Sequence, residues 1–400
     1  MPLSWFAFVF LPTLIALWAA KSLLIPRRPR NYVGATQIRQ LLHPPHVSLG
    51  DLLLARATPN QRLVHAFGLT NTFVSGDTKV HRTFTTRAKA LITTAGDKEH
   101  AWRAVALSAE ATTHQFLPAQ HNIVAFATLI QCITFAVVLS ALFDIDPDTL
   151  HYDDVVYVTH IINQRWKDSK VKSAAEMRQD DSLRSLIDHI DRWIVDHDRH
   201  PNPLNFILPA YETMWRVVAV TVAYVYCCRD NTLHEVVLAF GRDPTEERFL
   251  AFGEGDGRQP SMQSIILEVL RLHPPTRHIV RSSTQPRSAS WWRMPLVTPG
   301  PAMEIADVEG VHLSEEYGEN TSEFDPMRFH PSRMRERPEL FSFGYGRLKC
   351  VAAAWAPMAA AVIAATIVSQ IEEAGCTVSI GPKIGGRSGW EGWEVGKEVK

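Results

Sequence analysis

The 400-residue sequence has few cysteines, and they form neither a zinc-binding pattern nor a disulfide framework. The five are Cys132, Cys227, Cys228, Cys350 and Cys376, without a C-x-x-C pair or a short Cys/His group. Free thiols of this kind are typical of a reducing compartment such as the cytosol. An excess of charge is also missing, since 41 basic residues oppose 42 acidic ones. This balance gives no long-range attraction to polyanions, and we expect no nucleic-acid partner.

The sequence also lacks a dinucleotide-binding fingerprint. Its glycine-rich stretch GEGDG at 253–257 is not followed by a βαβ pattern, so it indicates a loop rather than a fused reductase. Repeats and low-complexity segments are absent as well. What the sequence does have is 46% hydrophobic residues, enough over this length for a large core in one to three domains.

An apolar run at the N-terminus, residues 3–25, is followed at once by the basic stretch PRRPR. About 20 apolar residues are needed for a helix to cross a bilayer. A cleavable signal peptide is the alternative, but the charged n-region is missing and the run is long for an h-region. We therefore predict an uncleaved membrane anchor at 1–25. Arg27, Arg28 and Arg30 then place the remaining chain on the cytosolic side.

The rest of the chain is predicted to be mainly α-helical with a small β part. Residues 26–60 indicate a hinge and a short linker helix near HVSLGDLLLARA, and 61–400 indicate one large domain whose apolar residues recur at three and four. The segment NFILPAYETMWRVVAVTVAYVYCC is apolar on nearly all sides, which favours a buried helix. A second membrane span is the alternative, although Glu212 and Arg216 would be costly within a bilayer.

The stretch FSFGYGRLKC at 341–350 places glycines and basic residues directly before Cys350. The pattern predicts a helix that starts at the cysteine, whose N–H groups and dipole would lower the pKa of the thiol and favour thiolate. Thiolate is the form that ligates metals. Gly344 and Gly346 permit backbone conformations closed to other residues, so the loop can fold tightly. Taken alone, the stretch also fits an ordinary turn before a helix.

Three further stretches carry charged or hydroxyl side chains in surroundings that are otherwise apolar. Glu268 and Arg271 share one face of an apolar helix. Taken alone, such a pair is usually a surface ion pair that stabilises the helix by a few tenths of a kcal/mol. Arg328 could reach the same glutamate. Glu212 and Thr213 lie in an otherwise apolar helix, where a carboxylate is costly without a partner and is therefore a functional candidate.

In this order and at these spacings, the four motifs resemble the cytochrome P450 superfamily of haem-thiolate monooxygenases. The resemblance covers roughly residues 60 to 373, and stretches such as LPAYETMWRVV look like membrane-anchored enzymes of filamentous fungi. The matched positions are Phe343, Gly346, Cys350 and Ala352 in the cysteine motif, Glu268 and Arg271 in the E-x-x-R motif, Phe324, Pro326, Arg328 and Phe329 in the F-x-P-x-R-F motif, and Glu212 and Thr213 in the oxygen-activating motif.

The resemblance implies a P450-like fold, shortened near the N-terminus, in which 61–400 is the haem-binding catalytic domain. It implies haem b with the Cys350 thiolate as axial ligand, Phe343 shielding the sulfur and Gly346 letting the loop pass under the porphyrin. The family's basic residue two positions before the cysteine is replaced by Leu348. Arg281, with Arg347 as a further candidate, is then expected to bind the haem propionates.

A second departure lies in the oxygen-activating motif, where Pro209 and Ala210 replace the family's usual small pair. Proline removes a backbone hydrogen bond and kinks a helix, which would open it by another route. Glu212 and Thr213, the residues that the resemblance assigns to catalysis, are both retained. Glu212 would relay protons, and Thr213 would organise a proton-carrying water.

The function implied is oxidation of an apolar small molecule with O2 and electrons from a separate NADPH-dependent reductase. The fungal resemblance suggests an intermediate of secondary metabolism, acted on by a single-pass protein of the endoplasmic reticulum membrane with a cytosolic catalytic domain. Two alternatives stay open. One is a P450-like isomerase or dehydratase that does not activate O2, and the other is a shortened, non-catalytic haem protein.

Overall fold

Helices form most of the chain in the computed structural model. The structure describes residues 29–93, 98–117, 123–228, 231–253, 259–284, 302–333 and 339–397, so the predicted anchor at 1–25 lies outside the described residues. The helices are α1 (Ala35–Leu42), α2 (Leu49–Asn60), α3 (Arg62–Phe67), α4 (Thr78–Ile92), α5 (Lys98–Phe116), α6 (Phe126–Phe143), α7 (Tyr152–Asp168), α8 (Ala174–Gln179), α9 (Ser182–Trp193), α10 (Leu204–Cys227), α11 (Thr232–Arg242), α12 (Glu246–Leu250), α13 (Met262–Leu272), α14 (Val308–His312) and α15 (Ala356–Glu373).

Four long helices, α5, α6, α10 and α15, pack against one another and form the centre of the molecule. Their sequences explain this position: α6 carries no charged residue, and the alanines of α15 allow close approach of its neighbours. Both α6 and α10 are long and apolar enough to cross a membrane, but 72% of each apolar window is buried inside the protein. The structure therefore accounts for α10 as a core helix, as the sequence favoured.

Two small three-stranded sheets flank the helices. The strands are β1 (Arg30–Tyr32), β2 (Ile123–Ala125), β3 (His278–Ser282), β4 (Met303–Asp307), β5 (Thr377–Ser379) and β6 (Glu394–Gly396). In the first sheet, ordered β1-β4-β3, β1 runs parallel to β4 and β3 runs antiparallel to it. In the second, β6 lies between β2 and β5 with antiparallel pairing on both sides. The prediction of a mainly α protein with a small β part is confirmed.

The region between the predicted anchor and residue 60 contains more structure than the single helix predicted for it. It holds β1, α1 and α2, and the Ser48 hydroxyl caps α2 by accepting a hydrogen bond from the Asp51 N–H. Helix α1 contacts β4, and α2 contacts β3. Both helices also contact the 346–348 turn before Cys350. Residues 30–60 therefore pack onto the first sheet and the cysteine loop.

Candidate functional site

The loop before Cys350 is held in shape by a backbone hydrogen bond and two glycines. The Cys350 N–H donates to the Phe343 carbonyl at 2.8 Å, which closes the loop onto itself. Gly344 and Gly346 have φ angles of 73° and 67°, in the left-handed region that favours glycine. A Cβ at Gly346 would also lie 2.6 Å from the Cβ of His43, so a side chain at this position would clash with α1 and its C-cap.

The Cys350 thiol is accessible, yet the surrounding protein desolvates it. Burial raises the pKa of this thiol, and the weaker effect of the Ala352 N–H lowers it only in part. The prediction that the cysteine opens a helix is wrong, because α15 begins only at Ala356 and turns lie between them. The helix dipole therefore does not set the thiol pKa. The sulfur is therefore accessible to a ligand, while nearby protein atoms disfavour its charged form.

The structure brings Glu268, Arg271 and Arg328 together inside the protein. The Arg271 Nε and Nη2 atoms donate to the two Glu268 carboxylate oxygens, each at 2.7 Å. Arg328 Nε approaches the same carboxylate at 3.5 Å, and the Asp325 N–H donates to it at 2.9 Å. Glu268 and Arg271 are fully buried and Arg328 is 7% exposed. A charge group this deep is stable only because every member has a partner.

This trio positions the cysteine loop through a chain of hydrogen bonds. Arg271 also donates to the His312 carbonyl at 3.0 Å, and the His312 ring accepts from the Phe341 N–H at 2.9 Å. The Ser342 hydroxyl then donates to the Leu270 carbonyl at 2.9 Å, back on α13. Burial lowers the pKa of His312 to about 4, which keeps its ring neutral and able to accept. The loop that carries Cys350 is thus attached to α13 at adjacent residues.

Glu212 and Thr213 lie in the middle of α10 but have different surroundings. Glu212 is 2% exposed and forms an ion pair with Arg387 from the loop between β5 and β6. Neither carboxylate oxygen accepts a hydrogen bond of good geometry within the described chain. The half-buried Thr213 hydroxyl donates to the Pro209 carbonyl at 3.1 Å, one turn earlier. Pro209, which the sequence singled out, therefore lies inside α10 and supplies the acceptor for Thr213.

Of the two arginines predicted to bind the cofactor, Arg281 lies on β3 beside a second cation. Burial and then the charge of Arg56 lower the pKa of Arg281 to about 9. Its one recorded hydrogen bond goes to its neighbour's carbonyl, Val280, at 2.9 Å. Arg347 is exposed and donates to the Val47 carbonyl before α2. The structure thus places Arg281, rather than Arg347, where an anionic ligand would offset a desolvated positive charge beside a second cation.

Sequence reasoning missed Arg56, which lies on the buried side of α2. The residue is 6% exposed, and its guanidinium donates to the Thr72 carbonyl at 2.8 Å and leaves Nε without a partner. Neither Arg56 nor Arg281 forms an ion pair with any residue in the described ranges. The signal was present in LGDLLLARA, where the arginine shares a helix with leucines and alanines.

These features fit haem. The propionate groups of haem are carboxylates, and the buried Arg56, with its orphaned Nε–H, and the half-buried Arg281 are donors suited to them. The accessible Cys350 sulfur is a suitable axial ligand. Within the described residues no group of three or more His, Cys, Asp or Glu side chains is arranged to hold a metal ion. A single protein thiolate is, however, all that a haem-thiolate site requires from the chain.

Part of the chain is similar in sequence to known proteins. The family model Cytochrome P450 matches residues 258–373. Thromboxane-A synthase of Mus musculus is 32% identical over 126 residues, which span 31% of this chain and 22% of that protein's length. The match to the Rattus norvegicus protein of the same name has 29% identity over the same length.

Solved structures extend the likeness to nearly the whole chain. CYP154A1 from Streptomyces coelicolor A3(2) has a TM-score of 0.60 at 15% identity, covering 91% of this chain and 90% of that one. The cytochrome P450 CYP102L1 has a TM-score of 0.61 at 13% identity, with 92% and 91% covered. At these identities, the likeness establishes the fold, and the fold is the one that the sequence predicted.

Proposed function

We propose that this chain, a member of the cytochrome P450 superfamily, is a haem-thiolate monooxygenase that oxidises an apolar small molecule. The observation that carries the proposal is the accessible Cys350 thiol in a glycine loop attached to the buried Glu268–Arg271–Arg328 trio. The family match at 258–373 contains both. The proposed electron donor is a separate NADPH-dependent reductase.

Haem b, held by the Cys350 thiolate, would supply the activation of O2 that no amino-acid side chain provides. The chain's own residues would bind and orient it. Arg281 and Arg56 would bind the propionate carboxylates, and Phe343, whose carbonyl fixes the Cys350 N–H, would limit the access of water to the sulfur. Gly344 and Gly346 have backbone conformations that favour glycine, so the turn carries no side chain at these two positions.

Proton handling would belong to α10. Thr213 Oγ1 would exchange its bond to the Pro209 carbonyl for one to a water molecule, and Glu212 would supply protons to that water. The Glu212 carboxylate forms an ion pair with Arg387 of the β5–β6 loop.

We further propose that residues 1–25 anchor the protein in the endoplasmic reticulum membrane and that the catalytic domain is cytosolic. The support is the apolar run and the arginines that follow it. The resemblance of stretches such as LPAYETMWRVV to enzymes of filamentous fungi supports an intermediate of secondary metabolism as the substrate.

The carbon monoxide difference spectrum of the reduced protein tests the proposal. Thiolate ligation gives the family's red-shifted band, so the wild-type protein should show it. Cys350→Ser, which replaces a soft thiolate by a hard hydroxyl, should lose it. Cys227→Ser, a partly exposed cysteine at the end of α10, is the matched control and should keep it. A wild-type protein without the band would refute haem-thiolate ligation and favour the non-catalytic alternative.

A P450-type isomerase or dehydratase is the second candidate. The observation that favours it is that Thr213 and Glu212 are both engaged, by the Pro209 carbonyl and by Arg387. The matched relatives are named for making thromboxane A. Conversion of a substrate without NADPH or reductase would establish this candidate, whereas conversion that depends on both would establish the monooxygenase.

A further inference from the structure

Three arginines from three separate parts of the chain form a cluster of cations near Glu212. Arg62 of α3 and Arg387 of the β5–β6 loop both pack on the Trp166 ring, with guanidinium carbons 5.1 and 4.6 Å from its centroid. Arg216 follows Glu212 by one turn of α10. We call Arg62, Arg216 and Arg387 the arginine cluster.

The contacts of the arginine cluster neutralise only part of its charge. Arg387 pairs with the Glu212 carboxylate. Arg216 donates to two carbonyl groups, those of Glu212 at 2.9 Å and of Pro275 at 2.6 Å. Arg62 donates to the Ser169 hydroxyl. Among the described residues, Glu212 is the one carboxylate that pairs with any of the three arginines.

The surplus of positive charge is felt by the neighbouring groups. Burial and then the charge of Arg387 lower the pKa of Arg62, and the same two effects lead for Arg216. Lys170, after burial, has its pKa lowered by all three arginines, and Glu212 is the one group that raises it. Desolvated like charges repel one another unless an anion joins them. The cluster is therefore prepared to receive a negative group.

We propose that the arginine cluster binds a carboxylate group of the substrate, so that the substrate is an apolar carboxylic acid rather than a neutral molecule. This inference rests on the proposed function, because it places the anion beside Glu212 and Thr213 on α10. Arginine forks match the two oxygens of a carboxylate, and the Trp166 ring holds two of the forks in place. The apolar remainder of the substrate would extend away from the cluster.

Equilibrium dialysis with lauric acid and lauryl alcohol tests this inference. Both probes have the same chain, and they differ in the carboxylate. The haem-loaded wild-type protein should bind the acid at least about tenfold more tightly than the alcohol. Arg62→Gln should remove most of that preference while leaving alcohol binding unchanged, and Arg62→Lys, which keeps the charge, should retain part of it.

Arg103→Gln is the matched control, since it removes one cation from the exposed side of α5, outside the cluster. It should keep the wild-type preference for the acid. Equal binding of the two probes by wild-type protein, or an equal loss of both in Arg62→Gln, would overturn the inference. The carbon monoxide spectrum of the same preparations reports separately on Cys350, so a failure of the proposed function is distinguishable from a failure of this inference.

Discussion

Thr213 and Thr221 occupy the same helix and make the same kind of bond, but only Thr213 is assigned to chemistry. The Thr213 hydroxyl donates to the Pro209 carbonyl at 3.1 Å, and the Thr221 hydroxyl donates to the Val217 carbonyl at 2.8 Å. The two alanine variants therefore remove the same kind of local hydrogen bond. A difference between the two alanine variants reports on what a hydroxyl does at position 213.

For Thr213→Ala we expect an unchanged carbon monoxide band and NADPH consumption that continues with little product. A hydroxyl that positions a proton donor typically contributes ~10²- to 10⁴-fold to a rate. The ratio of product formed to NADPH consumed is the measurement, and Thr221→Ala should retain the wild-type ratio. Full coupling in Thr213→Ala would mean that the hydroxyl is not needed to deliver protons.

His312 makes the cysteine loop sensitive to acid. Its pKa is lowered from 6.5 to about 4 by burial, so an unfolded chain takes up a proton at this residue before the folded protein does. The stabilising contribution is complete above pH 6.5 and is lost as the pH falls towards 4. Protonation would also remove the acceptor of the Phe341 N–H.

Urea unfolding at pH 7.5 and pH 5 measures this effect. Between these pH values, His312 should lower the free energy of unfolding by about 2 kcal/mol. His312→Gln offers an acceptor that does not titrate. Its free energy of unfolding should therefore fall by about 2 kcal/mol less than that of the wild-type protein between the two pH values. The exposed His46→Gln is the control and should follow the wild-type difference. A variant at His312 with the full wild-type loss would show that other groups account for the acid sensitivity.

At the scale of elements, α13 connects the segment from 312 to 328 to the cysteine loop. Its residues Glu268 and Arg271 bind Arg328 and the carbonyl groups of the segment from 312 to 323, while the Leu270 carbonyl receives the Ser342 hydroxyl. None of these interactions is local to α13 except the Glu268–Arg271 pair. The helix therefore acts as the fixed support from which the loop is built.

Glu268→Ala should unfold this support, because it leaves two buried arginines without their carboxylate. Removing one partner of a buried ion pair costs about 3 to 5 kcal/mol. We expect a lower urea midpoint and little bound haem, measured by haem absorbance per protein. Asp243→Ala breaks an exposed pair with Arg248 at 2.8 Å and should cost at most about 1 kcal/mol. A haem-replete, normally stable Glu268→Ala protein would contradict the structural role.

At the scale of the whole molecule, attachment to the membrane and the catalytic fold should be separable. The core is built from α5, α6, α10 and α15, all of which lie after residue 97. Deleting residues 1–25 should release the protein from microsomes in a carbonate wash and leave its haem content largely intact. Release of the full-length protein by carbonate, or a mature N-terminus after residue 20, would rule out the anchor.

The sequence by itself determined the helical class and the order of the motifs, and it singled out Cys350 after its glycine loop, because each depends on local spacing. Helical periodicity depends on residues a few positions apart, and a glycine loop before a cysteine is recognised from ten consecutive residues. Neither requires knowledge of distant parts of the chain. The buried helix α10 followed from its apolar residues on all sides in the same way.

Only the tertiary structure decided which polar groups meet. Arg56 and Arg281 are 225 positions apart (281 − 56), and Arg62, Trp166, Glu212 and Arg387 come from four distant segments. Tertiary packing brings α3, α7, α10 and the β5–β6 loop together, and the charged groups of the second set interact for this reason. No local sequence pattern predicts that these elements meet. The thiol pKa of Cys350 was misjudged for the same reason: burial by the surrounding fold, rather than a helix start, sets its direction.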